Sequence, residues 1–83
     1  MKDLELANNM IANLDAHKTQ PNWQETMDQF KPMIERIMEE DQCNAMKASI
    51  PILKKFKEND DQYGAGLLMA IVTDMMLEAA KTN

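Results

Sequence analysis

The sequence predicts an all-α fold, a compact bundle of four main helices. Three observations carry the prediction. Four stretches place apolar residues three and four positions apart, the spacing that lines one face of an α-helix. No stretch of comparable strength alternates apolar and polar residues as a half-buried strand would. The stretches are separated by Lys18-Thr19-Gln20-Pro21-Asn22 and by Asn59-Asp60-Asp61-Gln62-Tyr63-Gly64, both rich in turn-forming residues.

The first helix is expected over about Lys2 to His17, where Leu4, Ala7, Ile11 and Leu14 form a stripe with Leu6 and Met10 beside it. Pro21 ends that pattern by pushing Gln20 out of helical geometry. Asn22 with Glu25 three residues on resembles a capping box for the second helix. That helix, about Trp23 to Glu40, carries Trp23, Met27, Phe30, Ile34 and Ile37 on one stripe, widened by Met33 and Met38. Pro32 lies inside it and predicts a kink or break, because proline removes a backbone donor and its ring crowds the preceding turn.

The third helix is expected over about Asn44 to Glu58, with Met46, Ile50, Leu53 and Phe56 apolar and Pro51 predicting a second kink, break or fresh start. The second and third segments are weakly similar at an offset of 19: Met27, Pro32, Glu39 and Asp41 match Met46, Pro51, Glu58 and Asp60. Two units do not make a repeat architecture, and two amphipathic helices with one proline each explain them. The acids of the loop 59–64 are expected to cap a fourth helix, about Ala65 to Lys81. This last segment is apolar on more than one face, which predicts either the central helix of the bundle or an oligomer interface. The expected core is Trp23, Phe30, Ile34, Ile37, Leu53, Phe56, Leu68, Ile71, Val72 and Met75.

The 83 residues are read as one domain, 1–83, with the modest buried fraction of a small chain. Hydrophobic residues make up 45% and charged residues 28%, which is globular rather than disordered composition. A net charge of −5 argues against a nucleic-acid partner, whose phosphates require Lys and Arg. Asp3 and Glu5 interrupt any secretory h-region, and the longest uncharged apolar run, Gly64 to Thr73, is short for a membrane span. Together with a single cysteine, this predicts a cytoplasmic protein with no membrane partner.

No catalytic, metal or cofactor site is expected. His17 is the only histidine and lacks a nucleophile at a recognisable spacing. Cys43 follows Glu39-Glu40-Asp41, whose negative charge disfavours a reactive thiolate. The loop from Asn59 fails as a calcium loop, because its twelfth position is Ala70 where a bidentate Glu is required. Glu35, Glu39 and Glu40 read as an exposed helical face.

What remains is a surface. Nine methionines, including Met69, Met75 and Met76 on the fourth helix, supply pliable apolar contacts. Residues 21–41 hold six acids against two bases, and 42–59 hold Lys47, Lys54, Lys55 and Lys57 against Glu58. Either these helices face each other with complementary charge, or the charges form docking patches. The expected function is therefore non-enzymatic: a small acidic helical adaptor, inhibitor or immunity-type module that binds a larger protein. Its candidate contact residues are Met69, Met76, Lys54, Lys55, Lys57, Glu39 and Glu40. The alternative is a homodimeric structural or regulatory protein with the fourth helix at the dimer interface.

Overall fold

A computed structural model describes residues 2–82. Four helices follow in order: α1 (Lys2–Lys18), α2 (Trp23–Asp41), α3 (Ala45–Glu58) and α4 (Gln62–Thr82). No strand occurs among the described residues. The chain is an all-α bundle.

The caps explain where the helices begin. Asn44 holds an extended backbone (φ −82°, ψ 173°), and its Oδ1 accepts from the Lys47 N–H at 2.9 Å. Asp61 Oδ1 accepts from the Gly64 N–H at 2.8 Å, so α4 starts at Gln62, ahead of its apolar stretch. The expected capping box at Asn22 does not form. Its ψ of 9° is not the extended conformation a side-chain cap needs, and its side chain makes no cap bond. Instead Thr26 Oγ1 donates to the Asn22 carbonyl at 2.9 Å. Gln42 (φ 50°) and Asp60 (φ 53°) close α2 and α3 in the left-handed region. The N–H groups of Cys43 and Asp61 then return to the carbonyls of Met38 and Phe56, satisfying orphan acceptors.

Neither internal proline ends its helix. α2 continues through Pro32 and α3 through Pro51. Both prolines are exposed, as are Asp28 and Lys47 four residues before them. The carbonyls that lose an amide donor thus belong to exposed residues, where the loss is least costly.

α4 is the central helix. Short turns make consecutive helices antiparallel, so α4 runs parallel to α2. On one side α1 packs along it: Asn13 Nδ2 donates to the Gly66 carbonyl at 3.0 Å, and the His17 and Tyr63 rings meet edge to face at 5.6 Å. On the other side Ile34, Ala45, Ala48 and Ile52 pack with Leu68, Ile71, Val72 and Met75. At about 100° per residue these two sets of α4 positions fall on nearly opposite faces. That arrangement is the reason the segment is apolar nearly all round. Over Gln62–Lys81 its mean hydropathy is 1.3, so by length and composition it is also long and apolar enough to cross a membrane. Here it packs as a core helix, with Leu67, Leu68, Ala70 to Thr73 and Met75 buried.

The centre of the core is aliphatic. Ile34, Leu68, Ile71 and Val72 are fully buried with Ala48 and Ala70. Trp23, Phe30, Ile37, Leu53 and Phe56, expected in the core, pack against it half-buried, with the Phe30 and Phe56 rings 5.9 Å apart. Alanines at the contact bring the helix axes close, and the large rings then fit only at the periphery.

Candidate interaction surface

The lengths of the helices create the surface. α4 has 21 residues and α3 has 14. At 1.5 Å per residue, α4 outruns its neighbour by about 10 Å. The residues left beyond the core, Met76 to Lys81, are exposed, whereas Met75 is buried. α1 covers this end poorly. Its stripe of Leu4, Ala7, Ile11 and Leu14 buries only Leu14, while Leu4 is 62% exposed.

Two clefts flank the exposed part of α4. One, about 590 Å³, lies between α2, the start of α3 and α4. Its floor is Met38, Ala45, Met75, Met76, Ala79 and Ala80, and its rim carries Lys31, Glu35, Asn44 and Glu78. The other, about 150 Å³, lies between α1 and α4 and is lined by Ala7, Met10, Ile11, Thr73, Met76 and Leu77. Met76 lines both, so it stands as an apolar ridge between two apolar clefts. Leu77 and Ile11 add exposed surface beside it. Contiguous exposed apolar surface of this kind is what interaction sites are made of.

The candidate contact residues divide between the two ends of the bundle. Glu39 and Glu40 are exposed at the end of α2, the same end as Met76. Lys54, Lys55 and Lys57 are exposed at the end of α3, which antiparallel packing places at the opposite end. Lys57 lines a separate cleft of about 360 Å³ with Asp60, Asp61 and Leu53. Met69 is half-buried, seven residues before Met76 on the same face of α4. Glu39 and Glu40 therefore do not meet the lysines at the end of α3. Among the described residues the ion pairs are Lys18–Asp74 at 3.7 Å and Lys81–Glu78 at 3.3 Å.

Electrostatically, the two ends differ in kind. Lys55 and Lys57 complement the negative end of the α3 dipole. Glu39, Glu40 and Asp41 sit at the negative end of α2, where acids are unfavourable and no basic residue occupies the last turn. The free protein thus holds unpaired negative charge at the same end as the exposed Met76 ridge.

The titratable groups of possible chemical interest lie elsewhere. His17 is half-buried against Tyr63, with Nδ1 buried and unpartnered. Cys43 is half-buried, with Sγ 4.0 Å from the Ile37 carbonyl. Among the described residues no three His, Cys, Asp or Glu side chains converge as a metal site would need. Sequence reasoning did not single out Leu4, Ile11 and Glu78 as parts of the surface. The lengths expected for the third and fourth segments were nearly equal, and the inequality emerges only because α4 starts at Gln62. Comparison with protein-family models, curated proteins and solved structures gives no match.

Proposed function

We propose that this chain is a non-enzymatic interaction module, an adaptor, inhibitor or immunity-type protein, that binds a larger protein through the C-terminal half of α4. The observation that carries the reading is the exposed Met76 ridge between two apolar clefts. Methionine suits such a surface because its flexible, polarisable side chain adapts to the partner's shape. Among the described residues the Ser, Thr and Cys side-chain hydrogen bonds go to backbone carbonyls, not to a base that would activate a nucleophile. A homodimer through α4 is the competing arrangement, and it sets the rim acids Glu35 and Glu78 against those of a second copy.

The test is a pair of variants. Met76→Gln with Leu77→Gln removes apolar contact at two exposed positions and keeps good helix formers. Lys54→Glu with Lys55→Glu and Lys57→Glu reverses the other end. The first variant should stay folded and lose the proteins that the parent retains from a native extract, while the second keeps them. The opposite pattern moves function to the lysine end. Concentration-dependent sedimentation of the parent as a dimer, abolished in the first variant, establishes the homodimer instead.

A further inference from the structure

Resting on the reading of this end as an interaction surface, we infer that the larger groove receives a basic amphipathic helix of the partner protein. The walls of the groove are helical, and the described residues offer no strand edge on which an extended peptide could add. The groove lining also has no aromatic residue for a polyproline ligand and no arginine for an acidic one, so helix-in-groove docking fits it best, with apolar anchors three, four and seven residues apart on the incoming helix. The dimensions agree. Lys31, Glu35 and Met38 border the groove along two turns of α2, about 10 Å, the span of one such set of anchors. The floor of Met38, Met75 and Met76 with small alanines gives those anchors an apolar, adjustable bed.

Charge selects among occupants. Glu35 lines the groove from α2 and Glu78 from α4, and Glu39 follows Glu35 one turn along α2, with Glu40 and Asp41 beyond it. The C-termini of α2 and α4 also point to this end and add their negative dipole ends. The cations nearby are Lys31 on the rim, Lys47 and Arg36 on exposed positions, and Lys81, which pairs with Glu78. The balance stays negative. A second copy brings the same acids to the contact, whereas a helix flanked by Lys or Arg meets them with complementary charge.

The experiment is a titration of the intact protein, labelled with ¹³C at the methionine methyls. Three synthetic 18-residue probes are used: a Leu/Lys peptide with leucines at helical spacing, the same composition scrambled, and a Leu/Glu peptide with the first pattern. The patterned Leu/Lys peptide should shift the methyls of Met38, Met75 and Met76 and leave exposed Met33 unchanged. It should bind at least about tenfold more tightly than the scrambled peptide, a difference of about 1.4 kcal/mol. Glu35→Lys with Glu39→Lys, both exposed, should weaken it by about tenfold or more. Equal binding of the Leu/Glu peptide in the groove overturns the charge inference and leaves the interaction surface standing. Absence of shifts at Met38, Met75 and Met76 with every probe overturns both. Shifts of those methyls on simple dilution of the free protein identify a second copy as the occupant and also overturn the inference.

Discussion

A methyl group added at the two glycines of α4 should have opposite consequences. Alanine in place of glycine inside a helix is worth roughly 0.8–1 kcal/mol of intrinsic propensity. At Gly66 a new Cβ would sit 3.5 Å from His17 Nε2 and 3.8 Å from Asn13 Oδ1, ordinary contact distances. Gly66→Ala should therefore keep the gain and raise stability by about 1 kcal/mol, or about 4–8 °C in Tm for a domain this size. At Gly64 the new Cβ would lie 2.6 Å from Phe56 Cδ1 and Cε1 and from Asp61 Oδ2. The Phe56 ring is held against Phe30, and Asp61 caps α4 through the Gly64 amide itself. Overpacking of this kind costs about 1–3 kcal/mol, and a weakened cap adds about 0.5–2 kcal/mol. Gly64→Ala should thus lose about 0.5–4 kcal/mol after the propensity gain. Urea unfolding followed by far-UV circular dichroism measures both. Equal stabilisation by the two substitutions would refute the close approach of α3 to the start of α4. Destabilisation by Gly66→Ala would refute the placement of α1.

Asn44→Ala and Asp61→Ala should each cost about 1 kcal/mol in urea unfolding, whereas Asn22→Ala, which loses no cap bond, should cost less than half of that. Gln42→Gly should raise the thermal midpoint by removing left-handed strain worth about 1 kcal/mol. Phe30→Ala should cost about 2–3 kcal/mol by chemical denaturation, below the 3–5 of a fully buried ring, because Phe30 is half-buried at the core edge.

Helix number and class were legible because the apolar spacing in α2, α3 and α4 is sustained over several turns. The acids of loop 59–64 announced a cap, and Asp61 forms it. Less visible was the centre of the core, since Ala45, Ala48 and Ala70 are too small to stand out in a periodic pattern, yet they set how closely the helices pack. Asn22 looked like a cap by residue type and failed because the preceding turn fixes its ψ. The exposure of Met76, Glu39 and Glu40 was legible residue by residue. Their assembly at one end, away from Lys54, Lys55 and Lys57, follows from helix direction and from the greater length of α4. Composition carries neither.

The most direct test of the account is site-specific photocrosslinking in the native host, with a photoreactive residue placed at position 76 and, separately, at position 54. Both positions are exposed, so the probe should be accommodated without unfolding. The account predicts a discrete heteromeric adduct from position 76, lost on addition of excess unlabelled parent protein and absent from position 54. An adduct confined to position 54, or a self-adduct of two copies from position 76, would contradict it.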